Sequence, residues 1–155
     1  MLKLPRRPLA RLALLGVGLL LLIQLIPVWL AQTNPPVAAE PAWDSPETRE
    51  LAQRACFDCH SNETVWPWYS KVAPVSWLVT RDVLGGRSHL NLSEWGAATA
   101  EHRHAEDPGE AAAEVVRAGE MPLPIYVPLH PQADLTEAER EQLAQGLLKT
   151  LSAAP

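Results

Sequence analysis

Two cysteines and a histidine lie together in the segment Cys56-Phe57-Asp58-Cys59-His60, and the chain has no other cysteine. Residues three and four apart share one face of a helix, so both thiols and the imidazole can contact the same object. Two thiols at this spacing can form thioether bonds to the vinyl groups of a haem, and the adjacent imidazole can reach its iron. The pattern predicts one covalently attached haem c, bound through Cys56 and Cys59, with His60 as the proximal iron ligand.

Other chemistries use two cysteines at the same spacing. A structural zinc site would need further ligands close at hand, and the chain has no third cysteine. A redox-active dithiol of the thioredoxin type lies in a βαβ context, and no segment here alternates as a strand does. Copper is also bound by thiolates, but a copper site would not explain the helical surroundings. These alternatives are weaker than haem attachment.

Met121 is the strongest candidate for the sixth position of the iron. It is the only methionine besides the initiator, and it lies in the segment GEMPLP (119–124), a loop stiffened by two prolines. A methionine opposite a histidine raises the reduction potential relative to two histidines. The alternative is that Met121 fills a gap in the core. Four other residues are rival sixth ligands: His89, His102, His104 and His130.

Helices joined by long connections that contain proline must position these residues. Asp44 and Ser45, followed by a proline and an acidic residue, predict a helix that begins here and runs to about Cys59. The final helix begins at a capping box of Thr136 and Glu139. Weaker signals predict further helices at 77–84, ended by two glycines, at 93–102 and at 109–118. The predicted fold class is all-α.

One glycine lies inside the final helix, where it costs helical stability. This glycine is Gly146. We expect Gly146 to permit a close crossing of the first and last helices of the domain.

The first 45 residues have the composition of a membrane anchor and a spacer. Residues 1–11 hold four basic residues and no acidic one, and residues 12–31 are apolar apart from Gln24. Twenty apolar residues span a bilayer as a helix, and the basic end stays in the cytoplasm. A cleaved signal peptide is the alternative, although cleavage after Ala31 would place bulky Trp29 at a key position, and the site after Ala39, whose residues fit, lies far from the apolar run. Residues 32–45, rich in proline, predict a linker that holds a domain of residues 46–155 outside the membrane.

The charge of the chain is distributed unevenly. From residue 32 onward there are nine basic and all 18 acidic residues, a net charge of −9. A domain of this charge repels nucleic acid, so a nucleic-acid partner is not expected. No segment resembles a nucleophile–base arrangement or a phosphate-binding loop, so the chain is not expected to be an enzyme.

The residues after the cysteines extend the pattern well beyond five positions. Segment 56–70 (CFDCHSNETVWPWYS), with APVSW at 73–77, LNLSEW at 90–95 and GEMP at 119–122, resembles the haem-binding domain family of bacterial envelope proteins. The resemblance covers residues 45–151, and the family is cytochrome c-like. It implies a small cytochrome c-like domain around one covalent haem, with His60 proximal and Met121 distal.

Aromatic residues are concentrated just after the motif, and they can form a wall around the porphyrin. The candidates are Trp66, Trp68, Tyr69 and Trp77. An indole N–H or a phenol O–H among them could reach a haem propionate, although ordinary core packing explains the same residues equally well. Basic side chains that could pair with propionates are Lys71, Arg81 and Arg87, although a solvated role is expected for any one of them.

These features predict a single-pass protein of the bacterial inner membrane, with its haem domain on the periplasmic side. The expected function is one-electron transfer to unidentified redox protein partners, since the protein positions and tunes the cofactor. A haem-based sensor or ligand-binding module is the alternative, and it would need a displaceable Met121.

Overall fold

The structure, a computed structural model, describes residues 6–95 and 107–152. Within these ranges it contains α-helices, short 3-10 helices and one isolated bridge, between Ala39 and Glu94. The all-α prediction is therefore confirmed for this part of the chain. The helices are α1 (Arg6–Ile23), α2 (Pro46–Ala55), α3 (Phe57–His60), α4 (Val75–His89), α5 (Pro108–Arg117) and α6 (Glu137–Ser152).

The chain divides into two compact units. The first, called the anchor unit, combines residues 1–33 with residues 66–82. The second, called the motif unit, combines residues 34–65 with residues 83–155 and contains the cysteines.

In the anchor unit, the apolar run does not form one straight helix. The stretch Pro8–Ala31 is long and apolar enough to cross a membrane, as a signal sequence also would be. Its α-helix ends at Ile23, and Val28–Ala31 form a 3-10 turn. Pro27 explains this end, because it has no N–H to donate to the carbonyl of Ile23 and its ring clashes there.

The proline-rich segment before α2 is extended, as its composition predicts, but it does not hang free as a spacer. Residues 34–45 belong to the motif unit. The N–H groups of Ala38 and Ala39 both donate to the carbonyl of Ser93, and the N–H of Trp95 donates to the carbonyl of Ala39. Pro41 is buried. The segment predicted as a linker is therefore partly an edge of the domain.

The first helix of the domain begins where predicted and ends earlier. Ser45 caps it, since its hydroxyl accepts from the N–H of Thr48 at 3.1 Å. The helix was expected to continue to about Cys59. Instead Cys56, with φ −124° and ψ −34°, separates α2 from the short α3.

The prediction that two glycines end α4 is wrong. The helix continues through Gly85 and Gly86 to His89. Glycine inside a helix costs only about 1 kcal/mol, and a close contact of Gly86, described below, gives a reason for it.

The C-terminal helices agree with the sequence. The prediction for 109–118 corresponds to α5, and α6 begins at its predicted capping box: the N–H of Glu139 donates to the hydroxyl of Thr136 at 3.2 Å, and the carboxylate of Glu139 accepts from the N–H of Thr136 at 2.9 Å. Of the helix predicted at 93–102, residues 93–95 form turns instead, and the rest lies outside the described residues.

One apolar cluster forms the core of the motif unit. Phe57 from α3 and Leu92 contribute to it beside residues of α2, α5 and α6. Its other buried members are Leu51, Ala52, Ala55, Trp95, Ala113, Val116, Leu135, Leu143, Ala144, Leu147 and Leu151. Cys56 and Met121 are both partly buried against this cluster. The core therefore joins the motif and the candidate distal ligand.

The expected close crossing of α2 and α6 is confirmed. A Cβ atom added to Gly146 would collide with the hydroxyl of Thr48, and it would lie 2.8 Å from the Cβ of that residue. Both residues are buried.

We expect Gly146→Ala to destabilise the chain by about 1–3 kcal/mol, because overpacking at Thr48 outweighs the gain in helix propensity. Thermal or denaturant unfolding of the full chain in detergent measures it. Gly85→Ala is the matched control, since a Cβ there meets nothing within 4 Å. Equal stabilisation by both substitutions would contradict the close crossing.

Candidate haem site

The segment of the two cysteines is held by its own backbone. Cys56 accepts two hydrogen bonds on its carbonyl, from the N–H of Cys59 at 3.1 Å and from the N–H of His60 at 2.8 Å. These bonds form the single turn of α3. The turn brings Cys56, Cys59 and His60 together within one short segment. Cys56 and Cys59 are not joined in a disulfide.

The imidazole of His60 is oriented by the backbone that follows α4. Its Nδ1 lies 3.0 Å from the carbonyl oxygen of Leu90. A carbonyl oxygen only accepts, so Nδ1 carries the proton and the lone pair is left on Nε2. Burial lowers the pKa of His60, opposed in part by hydrogen bonds to the carbonyls of Leu90 and Gly86. A neutral ring with a fixed Nδ1 proton is the usual state of a histidine that ligates a metal through Nε2.

Gly86 lets α4 approach segment 56–60, which contains the two cysteines and His60. A Cβ atom added to Gly86 would collide with the carbonyl oxygen of Cys59, and it would lie 3.1 Å from the Cβ of Cys59. Leu90 follows one turn later, and its N–H donates to the carbonyl of Gly86 at 2.9 Å. The absence of a side chain at Gly86 thus sets how near the Leu90 carbonyl can come to His60.

The thiol of Cys56 is not activated. Burial raises its pKa to about 12, and the neighbouring Cys59 adds to the increase. Redox-active dithiols have a cysteine whose pKa is lowered, and burial acts on Cys56 in the opposite direction. Among the described residues, no group of three or more His, Cys, Asp or Glu side chains is placed to hold a metal ion.

The turn after the motif is fixed by a buried polar network. The hydroxyl of Ser61 donates to the carbonyl of Phe57 at 2.8 Å, and the N–H of Asn62 donates to the hydroxyl of Ser93 at 2.9 Å. Arg87 donates from Nε to the carbonyl of Ser61 at 2.7 Å and from Nη2 to the hydroxyl of Thr64 at 2.8 Å. Arg87, a candidate for a propionate, therefore holds the backbone of this turn.

Met121 lies in a loop that α5 and α6 hold in place. Its N–H donates to the carbonyl of Val115 at 3.2 Å, and its carbonyl accepts from Nη1 of Arg140 at 3.2 Å. Gly119 has φ +73°, which favours glycine, and it turns the chain from α5 into the loop. The side chain packs against the same core as Cys56. This packing also satisfies the gap-filling alternative, so iron ligation by Met121 stays a prediction.

A residue that the sequence did not single out joins this loop to the cysteines. The hydroxyl of Tyr126 donates to Oδ2 of Asp58 at 2.5 Å, while Oδ1 of Asp58 accepts from the N–H of Val65 at 2.8 Å. Asp58 lies between the two cysteines. One side chain inside the motif therefore links the Met121 loop to the turn that follows His60. The contact spans 68 positions in sequence, and no local pattern marks it.

Of the rival distal ligands, two are described. His89 is exposed, and its Nδ1 bonds the carbonyl of Gly85 at 2.8 Å. His130 is buried, stacks on the ring of Tyr126 with 3.7 Å between ring centroids, and bonds the carbonyl of Tyr126 through Nδ1 at 3.0 Å. His102 and His104 lie outside the described residues.

The four predicted aromatic residues lie in the anchor unit. Trp66 is half-buried with Nζ of Lys71 5.8 Å from its ring centroid, and Trp68 is 80% exposed with its ring 5.8 Å from that of Tyr69. Trp77 is half-buried, and its buried Nε1 has no hydrogen-bond partner among the described residues. Their role around a porphyrin stays a prediction.

Residues 18–149, most of the chain, match the haem-binding domain family. The chain belongs to this family. The predicted recognition is confirmed, and haem binding is the property that the family supplies. No curated protein and no solved structure matches the chain significantly.

The residues present fit a haem. The motif unit offers an imidazole with its Nδ1 proton fixed, the thiols of Cys56 and Cys59 in the same short segment, and a thioether against the same core as Cys56. His60 would ligate the iron, Cys56 and Cys59 would hold the porphyrin, and Met121 is the candidate for the opposite side.

We expect Gly86→Ala to reduce haem incorporation strongly, because the new methyl group must displace the backbone of Cys59 or push α4 and Leu90 away from His60. A haem stain of denaturing gels and the thermal stability of the full chain measure the effect. Gly85→Ala, one residue earlier in the same helix and in open space, should leave haem incorporation unchanged and raise the thermal stability slightly through helix propensity. Equal behaviour of the two variants would show that the approach at Gly86 does not matter.

We expect Tyr126→Phe to cost about 1–2 kcal/mol of stability, since it removes a hydrogen bond to a carboxylate. It should also speed hydrogen exchange of the amides in residues 119–126, while exchange in α2 stays unchanged. Unchanged exchange in the loop would contradict the role of Tyr126 in holding it.

Proposed function

We propose that this protein is a membrane-anchored monohaem c-type cytochrome that transfers single electrons in the periplasm. The observation that carries the proposal is the hydrogen bond between Nδ1 of His60 and the Leu90 carbonyl, within a Cys-X-X-Cys-His segment of a haem-binding family member. A haem supplies reversible one-electron chemistry, and the chain supplies attachment, ligation and tuning. In this proposal the domain has a cytochrome c-like arrangement around one covalent haem.

Each residue has a distinct part in this function. Cys56 and Cys59 retain the porphyrin, which a domain of this size could not enclose by contacts alone. The Leu90 carbonyl keeps His60 in one tautomer and one orientation, so that the ligand field does not vary between turnovers. Met121, held by the backbone of α5 and by Arg140, completes a six-coordinate site that favours electron transfer over ligand binding.

A retained anchor agrees with two observations. Gln24, within the apolar run, hydrogen-bonds both backbone groups of Ala73, and these contacts support a run that stays with the folded protein. The family match begins at residue 18, inside the same run. With four basic residues before it, the haem domain lies on the periplasmic side of the inner membrane in this proposal.

The acidic surface suits a partner with a basic patch. A net charge of −9 beyond residue 32 would steer such a redox partner and repel nucleic acid. We propose no independent catalytic activity. Electron transfer with the true partner should slow as ionic strength rises.

A haem stain and a reduced-minus-oxidised visible spectrum of the full chain, expressed with haem-maturation machinery, test the attachment. The expected result is haem that survives denaturation in the native chain and is lost in Cys56→Ser/Cys59→Ser. An unstained native chain would overturn the proposal.

We expect Met121→Ala to abolish the thioether-to-iron absorption band and to lower the reduction potential, because a weaker ligand replaces sulfur. His130→Ala is the matched comparison, since His130 is the buried rival, and it should leave the band intact. A native chain that lacks this band, and whose spectrum changes in His130→Ala but not in Met121→Ala, would exchange their roles.

The haem-based sensor remains the second candidate function. Carbon monoxide added to the reduced protein separates the two: a carrier resists binding because Met121 occupies the iron, whereas a sensor binds rapidly and completely. Rapid binding by the native protein would overturn the carrier.

A further inference from the structure

In the anchor unit, the first turns of α4 have their polar and apolar sides reversed relative to a water-exposed helix. Ser76 and Thr80 are buried, 6% and 4% exposed, whereas Val75 and Leu78 are 43% and 39% exposed. Just before the helix, Trp68 is 80% exposed. A helix on a water-exposed surface buries its apolar side. Small hydroxyl residues inside and apolar residues outside are typical of helices that contact lipid.

This segment is hydrogen-bonded to the far end of the apolar run. The side-chain amide of Gln24 accepts from the N–H of Ala73 at 2.9 Å and donates to its carbonyl at 3.1 Å. Nε2 of Gln32 donates to the carbonyl of Ser70 at 2.6 Å and to the hydroxyl of Thr80 at 3.0 Å. Nζ of Lys71 donates to Oε1 of Gln32. Residues 70–80 are thus attached to residues 24–32 at several points.

The length of α1 places this attachment near the hydrocarbon layer. Its 18 residues span about 27 Å, and three of the first six are arginines. A hydrocarbon layer is about 30 Å thick, so apolar residues beyond the helix end, such as Leu25 and Leu30, are needed to cross it. Both are exposed. Polar groups at that depth require partners from the protein, and residues 70–80 provide them for the side-chain amides of Gln24 and Gln32.

We propose that Trp68, Val72, Val75 and Leu78 form a lipid-contacting surface in the outer leaflet of the bilayer that the anchor spans. This inference rests on the retained anchor of the proposed function. The occupant is phospholipid, because the surface continues the apolar exterior of the anchor, none of which is buried.

Charge supports the same occupant. Residues 66–82 carry two basic residues, Lys71 and Arg81, and one acidic residue, whereas the chain beyond residue 32 as a whole has a net charge of −9. Both basic residues are exposed. Basic side chains beside an apolar surface are attracted to anionic headgroups, and tryptophan is enriched at the depth where headgroups meet acyl chains.

The test uses the full chain in vesicles of phosphatidylcholine and phosphatidylglycerol. A genetically encoded fluorescent amino acid is placed singly at position 78, at position 19 of α1 as the membrane reference, or at position 145 on the exposed side of α6. Quenching is compared between vesicles with and without lipids that carry a nitroxide near the headgroup or deep in the acyl chain.

We expect position 78 to lose most of its fluorescence to the shallow quencher, position 19 to the deep quencher, and position 145 to neither. Position 78 behaving as position 145 does, with position 19 quenched, would overturn this inference and leave the anchor intact. Failure of the chain to float with the vesicles would overturn the anchor itself. If position 78 is shielded from water in native membranes but not in these vesicles, the surface belongs to a protein partner. That result would also overturn the inference.

A second variant tests the attachment. Gln24→Leu keeps the anchor apolar and removes both hydrogen bonds to Ala73. Shallow quenching at position 78 should fall, while deep quenching at position 19 is unchanged. Equal quenching at position 78 in both chains would show that Gln24 does not hold this surface at the membrane.

Discussion

The hydrogen bond between His60 Nδ1 and the carbonyl of Leu90 is the contact on which the site depends. It fixes which nitrogen carries the proton, and it needs a backbone carbonyl brought within 3.0 Å of a ring that lies 30 positions earlier. Gly86 makes this possible, because any side chain there would strike the backbone of Cys59. The glycine lowers the stability of the helix that contains it, but it allows Leu90 to approach His60.

The same reasoning connects the motif to the rest of its unit. Asp58, inside the motif, accepts from Tyr126 on one oxygen and from the backbone of Val65 on the other. Arg87, one residue after the close contact of α4, holds the turn after His60. Hydrogen bonds from Tyr126, Val65 and Arg87 therefore hold segment 56–60 and the turn after it in place. Cys56 packs against the apolar core. Such support holds the predicted ligand His60 in one geometry.

The anchor unit follows a different physical rule. Its apolar residues face outward and its hydroxyls face inward, because the surroundings expected for it are lipid and not water. Gln24 is the one amide in the apolar run, and its position would be costly in a plain membrane helix. Paired with both backbone groups of Ala73, the amide is satisfied, and it lies directly after the end of α1 at Ile23.

The sequence alone determined the features that arise from residues near one another. The Cys-X-X-Cys-His pattern, the caps of α2 and α6 and the apolar run are all recognised from short spacings, because helical geometry and capping are local. Tertiary structure decided the rest. Helix α4 continues past Gly85 because Gly86 packs on Cys59, the proline-rich segment joins the domain through Ser93, and Tyr126 reaches Asp58 across 68 positions. Those contacts depend on which surfaces meet after folding, and no spacing of residue types along the chain encodes them.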